Sequence, residues 1–225
     1  MCAARLQALV DTAHELAAAG LVPGTAGNLS LRDGERVWIT ASGARFDVLE
    51  AQQITAIALG DGHALEGAFK PSSEYALHLA IYQHRPEAGA VVHTHAPWAT
   101  ALACVLDELP CIHYQMLPLG GAVRVAPYRC FGTAELAQVT LEALQDRRAV
   151  LMSNHGATTL AEDLPTAVAA MQVLESSCRM YWRAAQLGTP RTLSAQQWQE
   201  VAEQVRRLDY GTPHALSDKT HAPNN

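Results

Sequence analysis

Leu6, Leu9, Val10, Ala13, Leu16 and Ala17 recur at helical spacing, so an amphipathic helix is predicted over the first twenty residues, closed by Gly20. The period then shortens to two. Residues 28–32 and 36–40 flank Asp33-Gly34, and 54–59 and 64–66 flank Gly60-Asp61-Gly62, which predicts two hairpins. Pro71-Ser72-Ser73-Glu74 opens a helix through Ala76, Leu77, Ala80 and Ile81 that stops before Pro86. A strand is predicted at 90–95, a helix at 97–105, and strands at 111–115 and 123–126. Thr133 caps a helix to Leu144, residues 149–152 read as a short buried strand, and 163–187 as one long helix with Pro165 in its first turn. Ser194 and Gln197 fit the capping box of a last helix ending near Leu208. No repeat or linker divides the pattern. It predicts one α/β domain over residues 1–211 and a polar tail over 212–225, expected to be mobile.

Composition narrows the function. With 225 residues, 49% hydrophobic and 17% charged, the chain can bury a full core, which excludes wholesale disorder. Sixteen Lys and Arg against 22 Asp and Glu leave a net charge of −6 and no basic block, a surface that repels nucleic-acid phosphates. No stretch approaches the ~20 apolar residues that span a bilayer. Asp11, His14 and Glu15 interrupt the first helix, so it lacks the apolar centre of a secretory signal. Five cysteines, an odd number without CxxC spacing, point to reduced thiols in a cytoplasmic protein.

The chemistry concentrates in histidines. In Val91-Val92-His93-Thr94-His95, strand alternation points His93 and His95 to one face, ~7 Å apart along the backbone. Two imidazoles so placed can converge on one ion. His155 follows the strand at 149–152 and precedes Gly156. If those two strands are neighbours, their ends gather three imidazoles with a fourth position open, the ligand count of a catalytic metal centre. A lone histidine such as His14, His78 or His84 reads instead as a surface or packing residue.

Three small-residue segments offer exposed N–H groups, hydroxyls or an amide. They are Gly24-Thr25-Ala26-Gly27-Asn28, Thr40-Ala41-Ser42-Gly43 and Pro71-Ser72-Ser73, the last adding a helix N-terminus. Each alone reads as an ordinary turn or cap; together they can cradle a phosphate without a lysine. Glu74, next to the serines, suits a helix first turn by its charge. Beside a metal it can also ligate, or take a proton from a substrate carbon. Tyr114 and Tyr210 can donate protons, against a default of packing.

These residues, in this order, carry a resemblance. The segments GTAGNLSLR, ITASG, KPSSEYALHLAIYQHRP, AVVHTHAPWATALA, PCIHY, APYRCFGTAEL, SNHGAT and Tyr210-Gly211 make the chain resemble a class II aldolase of the fuculose-phosphate aldolase type, in the aldolase, epimerase and adducin-head superfamily. The resemblance runs from the first helix to Gly211. It implies a three-layer α/β/α sandwich around a mostly antiparallel mixed sheet, and a homotetramer with active sites at its interfaces. By the same resemblance, His93, His95 and His155 hold Zn2+, or Mn2+ or another divalent ion, with Glu74 as acid/base and intermittent ligand. Gly27, Asn28, Ser42, Gly43, Ser72 and Ser73 hold the substrate phosphate. Tyr114 reaches the site from a neighbouring subunit and protonates the aldehyde oxygen during bond formation. Tyr210 is a C-terminal tyrosine at the same interface, and Phe131 lies near the aldehyde pocket.

The activity so implied is cleavage of a ketose 1-phosphate to dihydroxyacetone phosphate and an aldehyde through a metal-stabilised enediolate. Related reactions on the same fold are 4-epimerisation of ribulose 5-phosphate, dehydration of methylthioribulose 1-phosphate and decarboxylation of phosphorylated keto acids. The acidic residue that the epimerases carry after the histidine pair is missing from CIHYQMLPLGG. A non-catalytic interaction domain like the adducin head is the alternative of another class; retention of three histidines with Glu74 argues against it. The chain departs from the fuculose type at Asn154, where another His is frequent, and at Ser42, where Thr is common. Cys130, Leu117 and Pro118 fall near the implied aldehyde pocket.

Overall fold

The computed structural model describes residues 3–211; the predicted tail over 212–225 lies outside them. Nine strands form one sheet in the order β4-β3-β2-β1-β5-β9-β8-β7-β6. The first half is built from hairpins. Strands β1 (Gly27–Asp33) and β2 (Arg36–Thr40) turn at Gly34, and β3 (Ile54–Ala58) and β4 (Ala64–Glu66) extend the sheet to one edge. Strand β5 (Ala90–Thr94) lies at the centre, antiparallel to β1 and to β9 (Gly156–Ala161). Strands β8 (Ala149–Met152), β7 (Val123–Ala126) and β6 (Glu108–Leu109) complete the other half. Only the β7–β8 pair is parallel, so the sheet is mixed and mostly antiparallel, as expected.

Helices cover both faces. One layer holds α1 (Ala3–Ala18), α3 (Pro97–Ala103) and α5 (Leu164–Leu187), whose Leu9, Leu16, Leu102, Met171 and Leu174 share a core with Leu29, Val92 and Leu151 of the sheet. On the other face α2 (Tyr75–His84) and α4 (Ala134–Ala143) bury Leu77, Ile81 and Leu136 against Ile39, Val91 and Val150. Alternate residues of β5 thus serve two cores. Asp163 and Thr133 cap α5 and α4 through side-chain oxygens, and Ser194 with Gln197 forms both bonds of the capping box of α6 (Ala195–Leu208). Among the described residues, no helix is long and apolar enough to cross a membrane.

Three expectations change. Residues 111–115 do not form a strand. After β6 the chain turns at His113, whose ring accepts from Gln115 N, into a 3₁₀ helix Tyr114–Leu119 that includes Pro118. Strand β9 carries no period-two signal because all six of its residues are buried, and it lies between β5 and β8, which are therefore not neighbours. Helix α2 starts at Tyr75, one turn position later than the serines, with Glu74 at its N-cap and Ser72 Oγ accepting from Glu74 N at 3.2 Å.

Candidate metal centre

The site is assembled by register. Asn28 on β1 pairs with His93 on β5, and His93 with Thr158 on β9, so three polar side chains stand in one row across the centre of the sheet. His93 is wholly buried, and its Nδ1 lies 3.0 Å from Thr158 Oγ1. Thr158 directs its own proton towards Met152 Sδ at 3.4 Å, so its oxygen accepts from His93 Nδ1–H. That tautomer leaves Nε2 as a bare lone pair, the form a metal ligand requires.

His95 follows directly at the end of β5, and His155 arrives from the β8–β9 turn. Asn154 takes the left-handed backbone (φ 55°) that this turn needs, a conformation asparagine tolerates. Gly156 is required by proximity: a Cβ there would sit 2.5 Å from Thr94 O and 3.0 Å from His95 Cδ2. The three rings meet edge to face with centroids 4.9, 5.0 and 5.1 Å apart. The sheet thus gathers the three predicted imidazoles although β9 separates their strands.

Glu74 enters from the start of α2. Its Oε2 lies 3.2 Å from His93 Nε2 and its Oε1 3.2 Å from His155 Nε2, while Asn28 Nδ2 donates to Oε2 at 3.0 Å. Burial on its own would raise the pKa of Glu74, but His93 and His155 together outweigh it and hold the carboxyl well below its ordinary range. Burial, followed by repulsion from His93 and His155, lowers His95 to about 4, so it is a neutral ligand near pH ~7.

A divalent ion fits these residues. One donor atom from each of Glu74, His93, His95 and His155 lies within 4.8 Å of the others. Glu74 Oε1 and His93 Nε2 are buried and have no well-aligned hydrogen bond among the described residues. Three imidazoles with one carboxylate are a donor set for Zn2+ and for other divalent ions of the first transition row.

A cavity of about 380 Å³ opens beside these side chains. It is lined by Gly27, Asn28, Ser42, Gly43, Ser72, Ser73, Glu74, His95 and His155, so every residue of the expected phosphate cradle meets the metal donors in one place. The two serine segments are held together by an antiparallel bridge between Ala41 and Pro71. This bridge also uses amides: Ser42 N donates to Lys70 O and Ser72 N to Thr40 O, both at 3.0 Å. For these two residues the hydroxyl, not the N–H, is what remains for a ligand. Tyr128, Arg129 and Phe131 also line it.

Tyr114 and Tyr210 do not line this cavity. Their hydroxyls lie 3.4 Å apart, and they border another cavity of about 460 Å³ with Leu117, Pro118, Val173 and Met180. Leu117 and Pro118 thus line that second cavity and not the one beside the metal donors of their own chain.

Sequence reasoning missed His78. It was taken for a surface or packing residue, yet it is fully buried and bonded to Asn28 Oδ1 and, at 2.6 Å, to Ser30 Oγ. The available signal was spacing: Glu74, His78 and Tyr82 recur every four residues on one face of α2. Burial, then the nearby His93 ring, lowers the pKa of His78 from 6.5 to about 3, with Glu74 opposing. Between these values the unfolded chain binds a proton that the folded one does not, so stability is complete above pH 6.5 and is lost as pH falls towards 3. The slope is at most about 1.4 kcal/mol per pH unit for one proton. Urea unfolding of the metal-free protein should show a midpoint that drops between about pH 6.5 and 4.5. The drop should be shallower in His78→Gln; equal slopes would mean that His78 titrates normally.

Residues 7–182 match the class II aldolase and adducin N-terminal domain family. A 5-methylthioribulose-1-phosphate/5-deoxyribulose-1-phosphate aldolase of Rhodospirillum rubrum is 39% identical over 199 residues, covering 88% of this chain and 89% of that one. The L-fuculose phosphate aldolase of Escherichia coli K12 is 38% identical over 174 residues, 77% and 80% of the two chains. Among solved structures, an L-fuculose 1-phosphate aldolase superposes with a TM-score of 0.88 at 35% identity, over 92% of this chain and 98% of that one. The chain belongs to the class II aldolase and adducin N-terminal domain family.

Proposed function

We propose that this protein is a metal-dependent aldolase that cleaves a ketose 1-phosphate into dihydroxyacetone phosphate and an aldehyde. The observation that carries the proposal is a cluster of four metal donors, three of which line one cavity together with a lysine-free small-residue cradle. The relatives support the substrate class, because L-fuculose phosphate and the ribulose 1-phosphates in their names are all ketose phosphates.

His93, His95 and His155, with Glu74, would hold the ion, Zn2+ by its preference for imidazole and Mn2+ as the alternative. When bound, the ion supplies positive charge beside the substrate's carbonyl oxygen and neighbouring hydroxyl, offsetting the charge that develops there. Gly27, Asn28, Ser42, Gly43, Ser72 and Ser73 hold the phosphate through hydroxyls, amides and the Asn28 side chain, and so fix C3 near the carboxylate. In cleavage the C4 hydroxyl loses its proton, the C3–C4 bond breaks, and the electron pair passes to an enediolate. Glu74, which takes up from solvent a proton equivalent to the one the C4 hydroxyl releases, then delivers it to C3. Aldol formation reverses these steps.

Tyr114 is the proton carrier at the aldehyde oxygen, and Tyr210 its partner. Since both lie away from the cavity of their own chain, this assignment requires a neighbouring copy, in a homotetramer with interface sites. Five cysteines without metal or disulfide spacing support a cytoplasmic location.

The test is a panel of fuculose, rhamnulose, ribulose and 5-deoxyribulose 1-phosphates, with phosphorylated 3-keto acids beside them. Release of dihydroxyacetone phosphate from a ketose phosphate, abolished by chelator and restored by Zn2+ or Mn2+, is the expected result. Release of CO2 alone would make the protein a decarboxylase. Purified protein free of stoichiometric divalent ion and inert to added metal would make it an interaction domain.

A further inference from the structure

Behind Glu74 a file of buried polar groups runs away from the cavity, between α2 and β1. Asn28 Nδ2 donates to Glu74 Oε2 at 3.0 Å, and Asn28 Oδ1 meets His78 Nε2. His78 Nδ1 lies 2.6 Å from Ser30 Oγ, and Ser30 Oγ 2.7 Å from the Tyr82 hydroxyl, which also donates to Ser30 O at 3.0 Å. Ser30 and His78 are fully buried, and Asn28 and Tyr82 nearly so.

The direction of every bond follows from the first. A carboxylate only accepts, so Asn28 must turn its NH2 towards Glu74 and its carbonyl towards His78. That carbonyl needs a proton donor, so His78 carries hydrogen on Nε2. Burial keeps the ring neutral, lowering its pKa to about 3, so Nδ1 is bare and accepts from Ser30 Oγ–H. Tyr82 closes the far end, its one proton shared between Ser30 Oγ at 2.7 Å and Ser30 O at 3.0 Å. From Ser30 onward every donor points towards Glu74.

We propose that His78 is a positioning residue, which acts through Asn28 to fix the orientation of the Glu74 carboxylate. An amide's two ends are nearly the same size, so packing alone does not choose between them. Without the His78 donor the Asn28 carbonyl is left buried and unpaired, so the amide is anchored at one end only and no longer holds Oε2 in a fixed place. The inference rests on the proposed role of Glu74 in proton transfer, and it reaches the reaction only through that residue.

The test uses two variants and two readouts. His78→Leu keeps the volume and removes both nitrogens, whereas His78→Gln can place its side-chain NH2 where Nε2 was. The first readout, on metal-free protein, is nitrogen NMR of His78 and hydrogen exchange of the Asn28 side-chain NH2. The wild type should show the Nε2–H tautomer. Exchange should rise at least ~10-fold in His78→Leu and remain within ~3-fold of wild type in His78→Gln.

The second readout, on metal-loaded protein, is incorporation of solvent hydrogen into dihydroxyacetone phosphate. Its maximal rate should fall ~10–100-fold in His78→Leu, with KM changed less than ~3-fold, and recover in His78→Gln. A proton on Nδ1 of wild-type His78 overturns the inference. So does a folded His78→Leu that exchanges hydrogen at the wild-type rate. If His78→Leu does not fold, the tautomer and the His78→Gln rates decide. Wild-type protein that incorporates no solvent hydrogen defeats the aldolase proposal instead, and the NMR readout then judges the positioning role by itself.

Discussion

His95→Ala should remove stoichiometric divalent-ion binding and reduce cleavage by more than ~10³-fold, while the protein stays folded. The loss is expected to be this large because three imidazoles set the site, and removing even a residue that merely orients a ligand costs ~10–100-fold in metal affinity or activity. His95 is the ligand to remove because it stands at the mouth of the site. His93 is wholly buried within β5, where truncation would open a cavity and confound the result. His95 lies just beyond the strand, lines the open cavity and has a pKa lowered to about 4 by burial and its two histidine neighbours. Neutral near pH ~7 and on the wall of the open cavity, it can be truncated without leaving a buried charge or a closed void, so thermal stability without metal should change little. Metal content by mass spectrometry and the melting temperature with and without chelator check this. A variant that still binds one ion per chain would show that the ligand set lies elsewhere.

Glu74→Gln should keep the ion and lose proton transfer. The amide has nearly the shape of the carboxylate, and the three histidines remain. It cannot accept a proton, however, and proton transfer by a positioned side chain contributes ~10²–10⁴-fold. Incorporation of solvent hydrogen into dihydroxyacetone phosphate should fall by that factor. Undiminished exchange in a metal-loaded variant would take Glu74 out of its assigned role.

Most of the site was legible because its residues lie in short, punctuated segments. His93 and His95 declare themselves through strand alternation, Gly156 marks the turn that carries His155, and small residues mark the cradle. What escaped is equally specific. Strand β9 is buried throughout and shows no alternation, so nothing in the sequence marks the strand that separates β5 from β8. The 3₁₀ helix Tyr114–Leu119 replaced a strand because His113 and Pro118 favour a tight turn there over a ladder. His78 was passed over because a histidine on a helix declares nothing until its partners are known.

By itself the sequence determined the helices and most of the strands, their caps, the apolar faces of the helices and the identity of the donor groups. Each of these depends on residues a few positions apart, whose geometry the backbone imposes locally. Only the tertiary structure decided the strand order, the pairing of His93 with Asn28 on one side and Thr158 on the other, and the separation of Tyr114 and Tyr210 from the metal donors. It also decided which nitrogen of His78 and of His93 bears the proton. Those choices depend on hydrogen bonds between residues 46 to 65 positions apart, and such partners exist only once the sheet has closed around them.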